Sequence, residues 1–504
     1  MHLPEAVTSV LDATLENIYS LEKYVAPTVV LVPPFVSEAV QGLSDQIGFD
    51  VETLSYVLGL LLCYPCGMIM NSMPFGKARH FFSFILGAFL LQFTIGVQWI
   101  HHMITSLVVY ALFAFVPRNK VQIVVPVFVM VYMTLGHLHR QYINYLGWDL
   151  DFTGAQMVIT QKLFMMAFNL HDGDLLAKGN ADRAAKKCEK YALKELPGLL
   201  EYLGYTFCFA SMLAGPAYEF TVYRDACDGS LLYDKDGKPR GKIPGTLVPS
   251  LLPFLKSFLL LGIHVGLGGM FPLLDPTDSQ KNPPVLAQED FLQNPWFYRY
   301  GYMWIGLFAT RCKYYFAWLN AEGANNLFYA GFEGFDEKGE PKGWGVASNV
   351  DVLGFELAPN LSTLSKDWNK KTSLWLTRYV YIRTGGNLMA VYMLSAFWHG
   401  FYPGYYLFFL SVPLLTFCER LAKKKISPYF SDARWTPYDF FCMFVTSFFV
   451  EYTVSAFIIL QLDGAIATWK SHYFFGHILS IGAYIAMTLL PTPKKPEDAK
   501  KKVQ

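Results

Sequence analysis

Charged side chains are scarce in this sequence: 16% of its 504 residues are Asp, Glu, Lys or Arg, where an ordinary soluble domain carries about 25%. That deficit argues against a soluble protein. Net charge is lacking as well, at +1 from 41 basic and 40 acidic residues. No basic field is available to attract nucleic acid and no acidic field to attract a cationic partner, so a nucleic-acid binder is all but excluded. Paired cysteines are also missing. Of eight cysteines only Cys63 and Cys66 form a C-x-x-C pair, inside the apolar run Leu58 to Met70. With no second Cys or His pair at zinc spacing, the two read as small buried hydrophobes rather than a redox or metal site. The first forty residues carry Glu5, Asp12, Glu16, Glu22 and Lys23 and lack the basic start, short apolar core and small-residue cleavage site of a signal peptide. Targeting is therefore expected from the first membrane span.

What the sequence has is apolar length. Hydrophobic residues make up 53% of it and aromatic residues 17%, and a span needs about 20 mainly apolar residues to cross a bilayer core of ~30 Å. Stretches that meet or approach this lie at 53–70, 79–99, 103–116, 121–136, 248–273, 297–319, 387–418, 437–460 and 472–490, with weaker candidates at 154–169 and 199–216. The expected fold is an all-α polytopic integral membrane protein, with 8–11 membrane-embedded helices enclosing a reaction chamber. The organisation is a single membrane domain over 1–504, with an N-terminal segment 1–50 and a Lys-rich tail 491–504. No fixed-period repeat is visible, nor does the first half match the second as an inverted repeat would require.

Orientation follows from the last two spans. The loop from Glu419 to Thr436 holds Arg420, Lys423, Lys424, Lys425 and Arg434, the turn from Gln461 to Ser471 only Lys470, and the tail Lys494, Lys495, Lys500, Lys501 and Lys502. The positive-inside rule places that loop and the tail in the cytosol. The ending Lys501-Lys502-Val503-Gln504 is similar to the dilysine signal of endoplasmic-reticulum membrane proteins, which must face the same side. Of the polar insertions, 171–197 is expected to lead into an amphipathic surface helix from Ala181 to Leu196, with Lys186, Lys187 and Lys190 near lipid headgroups. The insertion Asp234 to Pro239 has turn chemistry and no calcium-loop spacing.

Chemistry concentrates in two stretches, Lys366 to Tyr381 and Ser395 to Tyr406. His399 stands alone in apolar surroundings, where burial keeps an imidazole neutral and available as a base, and an ionisable group inside a membrane is a functional candidate. His101, His102, His137, His139, His472 and His477 fall at span ends and read as interfacial. His264 lies inside an apolar run but lacks a polar partner motif and reads as structural. Asn369 sits 30 residues before His399, at a polar-to-apolar boundary.

Trp368-Asn369 followed by Trp398-His399-Gly400 and Pro403-Gly404-Tyr405-Tyr406 resembles the membrane-bound O-acyltransferase (MBOAT) superfamily, in particular its lysophospholipid acyltransferase branch. Further segments agree in order: Gly147-Trp148-Asp149 through Thr153 to Met157 and His171-Asp172-Gly173; Leu213-Ala214-Gly215-Pro216; and Arg311-Cys312-Lys313-Tyr314-Tyr315-Phe316-Ala317-Trp318. The likeness covers roughly residues 140–420. It implies re-acylation of the free glycerol hydroxyl (the sn-2 position) of a lysophosphatidylcholine or lysophosphatidylethanolamine, with acyl-CoA as co-substrate and no permanently bound cofactor or metal. Membrane lipids are the surroundings, and a homo-oligomer is compatible with them. His399 takes the role of catalytic base, and Asn369 that of the second essential residue, orienting the substrate or stabilising the oxyanion.

Around them, a helix starting near Asn369 is expected to offer Trp375, Arg378 and Tyr381 on one face. The candidate substrate-binding set is Trp368, Trp375, Arg378, Tyr381, Trp398, Tyr402, Lys313, Tyr315 and Asn326. Lys370, Lys371, Arg378 and Arg383 suit the phosphates of CoA or anionic headgroups. Basic residues flank the 387–418 run on both sides, which a break at Pro403-Gly404 resolves by making two helices of about 15 and 14 residues that bend back. The competing readings are acylation of sterol or diacylglycerol by the same superfamily, and a transporter with His399 as a proton relay.

Overall fold

The computed structural model describes residues 31–147, 149–275, 282–430 and 435–493. Most of the N-terminal segment, Trp148, Arg434 and every lysine of the C-terminal tail lie outside the described residues. Among the described residues the chain is helical, with no strand and two isolated β-bridges, Tyr233 to Pro239 and Phe335 to Pro341. Six helices are long and apolar enough to cross a membrane: Val51–Ser72, Lys77–Phe115, Arg118–Ile143, Leu247–Met270, Pro403–Tyr429 and Pro437–Ile459. The second, at 39 residues or roughly 58 Å, is about twice a bilayer core and is divided by a tight helical turn at Gly96–Gln98. Leu388–His399 and Phe475–Leu489 are apolar but shorter. Two further long helices, Phe152–Ala177 and Trp296–Asn326, carry too many polar groups to resemble lipid-facing spans and fill the interior instead.

Polarity is distributed as a bilayer demands. Leu247, Val248, Leu251, Leu255 and Leu259 face outward from Leu247–Met270. By contrast Gln156, Thr160, Lys162, Asn169 and Asp172 on Phe152–Ala177 are fully buried. Interior polar groups must then find partners. Lys162 donates to the carbonyls of Tyr205 (3.0 Å) and Thr206 (3.4 Å) and to Ser211 Oγ (2.8 Å). Those carbonyls end the helix Leu199–Thr206. The weak span at 199–216 is accordingly two short pieces, Leu199–Thr206 and Phe209–Met212, rather than one helix. Helix starts follow local chemistry: Asp50 accepts from Thr53 N–H (2.7 Å), and Thr436 with Asp439 forms a capping box.

Two expectations need correction. The amphipathic helix from Ala181 to Leu196 is only Arg183–Lys187 and a single turn Glu189–Tyr191. Leu193 N–H bonds the Asn169 carbonyl (2.8 Å), drawing the chain off the helical path onto the neighbouring helix. The sequence also hides a repeat. Tyr233-Asp234-Lys235-Asp236-Gly237-Lys238-Pro239-Arg240-Gly241 and Phe335-Asp336-Glu337-Lys338-Gly339-Glu340-Pro341-Lys342-Gly343 share one pattern and one hydrogen-bond set. Asp234 Oδ1 accepts from Asp236 and Lys238 N–H (3.0 and 2.8 Å), and Asp336 Oδ1 from Lys338 and Glu340 N–H (2.9 Å each). The paired hairpins dock through Lys242 N–H to the Gly339 carbonyl (2.9 Å).

Candidate active site

The 387–418 run breaks as the charge argument requires, but three residues earlier than Pro403-Gly404. Leu388–His399 ends at Gly400, whose φ of 118° is open to glycine and strained for other residues. Pro403 then opens the helix Pro403–Lys425, its fixed φ suiting a first-turn position. The second arm has 23 residues, about 34 Å, enough to cross by itself, whereas the first has 12. They pack antiparallel: Tyr392 Oη meets Thr416 Oγ1 (3.2 Å), and the ring of His399 meets that of Phe409 (5.4 Å). Leu388 and Arg420 therefore lie at the same end of the hairpin, which puts the basic residues on either side of it on one face. Gly404 allows a close approach to Pro437–Ile459, since a Cβ there would lie 2.1 Å from the Ala456 carbonyl oxygen.

His399 is the last residue of the first arm and is enclosed by the rings of Trp398 (4.7 Å), Phe457 (5.1 Å), Phe409 (5.4 Å) and Tyr405 (5.6 Å). Its Nδ1 lies 2.7 Å from the Ser395 carbonyl. A carbonyl only accepts, so Nδ1 carries the proton of the neutral ring and Nε2 keeps a lone pair. His137 is not interfacial: it is buried, its Nε2 donates to the Trp398 carbonyl (3.1 Å), and its ring packs on Gly400. Nothing in the sequence separates it from the other histidines at span ends. His101, His102 and His472 are likewise buried and bonded, to Tyr132 Oη and to the carbonyls of Phe152 and Thr468. His264 bonds the Ala309 carbonyl (2.8 Å) and ties the span Leu247–Met270 to the interior helix Trp296–Asn326.

Asn369 starts the helix Lys370–Leu376 from a left-handed backbone conformation, φ 43° and ψ 52°, which asparagine tolerates better than most residues. Asn349 Nδ2 donates to its Oδ1 (3.2 Å), while Lys370 N–H bonds the Asn349 carbonyl (2.8 Å) and Lys371 N–H the Asn349 Oδ1 (3.0 Å). Trp368 fills an aromatic pocket against Trp318 (4.8 Å), Phe355 (5.0 Å), Tyr315 (5.7 Å) and Tyr314 (6.0 Å). Beneath that pocket Arg311 grips Glu356 with two bonds (3.0 and 2.9 Å) and Glu451 with a third (2.5 Å). Tyr315 donates to Glu356 as well (2.6 Å).

The helices that carry the two polar residues meet at one aromatic contact. Trp398, beside His399, meets Trp375 (5.9 Å), six residues beyond Asn369 on the short helix. Trp375 is fully buried, with an Nε1–H that has no partner among the described residues.

The remaining candidates are committed elsewhere. Arg378 pairs with Glu219 (3.0 Å) and Arg383 with Asp172 (3.1 and 2.6 Å), so their charges are already balanced. Asn326 donates to the Pro249 carbonyl (2.8 Å), Tyr402 Oη accepts from Leu146 N–H (2.9 Å), and Lys313 lies over the Tyr314 ring (5.3 Å). Tyr381 sits in a wide helical turn, Thr377–Tyr381, near Gly386. Among the described residues the ammonium groups of Lys370 and Lys371 bond Ser348 Oγ (3.5 Å) and the Gly345 carbonyl (3.2 Å). Burial, with Lys370 and Arg378 nearby, pushes Lys371 down to about 8.

The profile of MBOAT, the membrane-bound O-acyltransferase family, matches residues 140–460, which include both polar residues and the hairpin. Chicken membrane-bound glycerophospholipid O-acyltransferase 2 is 32% identical over 470 residues, covering 91% of this chain and 88% of its own. The human protein of that name is 30% identical, over 91% and 87%. Lysophospholipid acyltransferase 1 of Arabidopsis thaliana is 29% identical, over 91% and 98%. The chain belongs to the membrane-bound O-acyltransferase family and is a multi-pass membrane O-acyltransferase.

Proposed function

We propose that the protein re-acylates lysophospholipids, moving a fatty acyl chain from acyl-CoA to the free glycerol hydroxyl, at sn-2, of lysophosphatidylcholine and lysophosphatidylethanolamine. The names of the similar proteins support the substrate class, and the observation that carries the reading is the His399 ring, tied at Nδ1 to the Ser395 carbonyl and leaving an Nε2 that bonds no described residue, enclosed by aromatic rings. A glycerol hydroxyl is a poor nucleophile at neutral pH. His399 Nε2 takes its proton as the oxygen attacks the thioester carbonyl, giving a tetrahedral oxyanion. Collapse of that intermediate breaks the C–S bond, and the imidazolium returns the proton to the departing thiolate, so that phospholipid and free CoA leave. Asn369 touches the reacting carbonyl, and Trp368 and Trp398 border the acyl chain, with the buried Trp375 packed behind Trp398. Lys370 and Lys371 meet the CoA phosphates, since Arg378 and Arg383 are neutralised by carboxylates. The working site is the endoplasmic-reticulum membrane, with the Lys-rich tail in the cytosol, and the role there is phospholipid remodelling.

The test compares wild-type membranes with His399→Ala and Asn369→Ala at equal expression, using a labelled unsaturated acyl-CoA and a panel of lysophospholipids. Product from wild type that disappears in both variants supports the reading and names the headgroup. Strong transfer to cholesterol or diacylglycerol instead, or full activity without His399, overturns it.

A further inference from the structure

Asparagine can act as donor or acceptor, and the hydrogen bonds around Asn369 decide which. Lys371 N–H can only donate, so the Asn349 side-chain atom 3.0 Å away must be oxygen. The other arm of the Asn349 amide is then Nδ2, which can only donate, so the Asn369 atom it meets at 3.2 Å must in turn be oxygen. The main-chain bond from Lys370 N–H to the Asn349 carbonyl (2.8 Å) fixes the backbone from which this amide projects. Asn349 itself is buried, at 2% exposure. With its oxygen engaged, the group that Asn369 has left to offer a ligand is Nδ2, which bonds no other described residue.

We infer that Asn349 is a positioning residue that holds Asn369 as a hydrogen-bond donor, aimed at the oxygen that becomes negative during acyl transfer. The inference rests on the acyl-transfer reading above and deepens it. A donor serves the oxyanion and the thioester carbonyl; it does not draw a proton from the glycerol hydroxyl, which leaves that step to His399 alone. Asn349 reaches this position through the second hairpin of the repeat. Val346 N–H bonds the Gly331 carbonyl (3.0 Å), Gly345 N–H bonds Glu333 Oε1 (2.8 Å), and Lys371 Nζ returns to the Gly345 carbonyl (3.2 Å).

The variant that isolates the role is Asn349→Asp. A carboxylate there still accepts from Lys371 N–H and leaves the main-chain bond intact, but it turns an acceptor toward Asn369 Oδ1. The Asn369 amide must then rotate to donate to it, and the oxygen faces the substrate. The expected result is a fall in kcat with the thermal midpoint unchanged, larger than any rise in KM for acyl-CoA that the new carboxylate beside Lys370 and Lys371 brings. The fall is no larger than that of Asn369→Ala, for which loss of one oxyanion donor sets a scale of about 10²- to 10³-fold. Placed in an Asn369→Ala background, Asn349→Asp costs nothing further, because the group it positions is gone. A structural role predicts the same fractional loss in both backgrounds, and that result overturns the inference, as does wild-type kcat in Asn349→Asp. Asn369→Asp provides a second test that does not depend on folding of the first variant. Its carboxylate keeps the bond from Asn349 and loses only the donor, so kcat drops to the level of Asn369→Ala; near-normal kcat overturns the donor role. A wild-type protein that acylates no lysophospholipid overturns the acyl-transfer reading and this inference with it, whereas an active wild type with additive losses overturns the role of Asn349 alone.

Discussion

Replacing Arg311 by methionine removes the centre of a buried ion network. The guanidinium, 9% exposed, makes two bonds to Glu356 and one to Glu451, whose side chain is 3% exposed. Without it two carboxylates face each other with no counter-charge, and Glu451 Oε2 is already without a partner among the described residues. Breaking a buried pair by removing one member costs about 3–5 kcal/mol, chiefly because a stranded charge remains, while replacing a whole buried network by neutral groups is often close to neutral. Arg311→Met is therefore expected to lower the thermal midpoint of the detergent-purified protein sharply. The triple variant with Glu356→Gln and Glu451→Gln should recover most of the loss. Activity should follow, because Glu356 holds Tyr315, and Tyr315 and Phe355 form the pocket of Trp368, the residue before Asn369. Arg311→Lys keeps the charge but not the two-pronged grip, and should fall between wild type and Arg311→Met. The assay is residual monodisperse protein after heating, read beside acyl transfer. An unchanged midpoint in Arg311→Met, or a triple variant less stable than the single one, refutes this account.

Gly404→Ala should abolish acyl transfer or unfold the hairpin, since its Cβ would lie 2.1 Å from the Ala456 carbonyl oxygen. Gly482→Ala, with nothing within 4 Å, should be silent under the same activity and heating assays. Lys371, held down to about 8 by burial and neighbouring cations, loses its charge as pH rises through that value. The KM for acyl-CoA should therefore climb between about pH 7 and 9 in wild type and stay flat in Lys371→Arg, whose charge persists; parallel curves would remove Lys371 from the CoA site. Asp336→Ala deletes the acceptor of two turn N–H groups. It should speed hydrogen exchange at Lys338, Glu340 and, through the bond between Lys242 and Gly339, in the partner hairpin.

The sequence disclosed what depends on composition and on short-range chemistry. Most spans fall within a few residues of their expected places because apolar length is a local property. The break in the 387–418 run was legible because basic residues on both sides cannot be reconciled with one crossing. The order Asn369 then His399, with its flanking tryptophans, was legible as a pattern. What stayed hidden depends on pairing across the fold. Nothing at position 349 marks an asparagine that will meet Asn369, and His137 resembles every other histidine at the end of a span. Arg378 looked like a phosphate ligand because its partner, Glu219, is 159 residues away in the chain. The repeat of hairpins is hard to see in sequence for a different reason: it is a single pair of nine-residue motifs, too short to register as a periodicity.

The two polar residues of the site are held by different means, and the difference has consequences. His399 is oriented by the main chain, because its Nδ1–H bonds the carbonyl of Ser395 one turn earlier in the same helix. The helix end that exposes the imidazole at Gly400 thus supplies the acceptor that fixes its tautomer. The neighbouring carbonyl of Trp398 is taken by His137, and Gly404 N–H by the Leu460 carbonyl (2.8 Å), so the break leaves these groups satisfied, as backbone away from water requires. Such an arrangement is indifferent to the side chain at 395, and Ser395→Ala should leave kcat unchanged. Asn369 is oriented by a side chain, and that side chain is held in turn by a loop stapled to the rest of the molecule. Its alignment is therefore open to substitution at 349, and to loosening of the Glu356 network that packs behind Trp368. Side-chain changes should accordingly disturb the donor more readily than the base, and a survey of kcat across Ser395, Asn349, Arg311 and Glu356 variants should show that asymmetry.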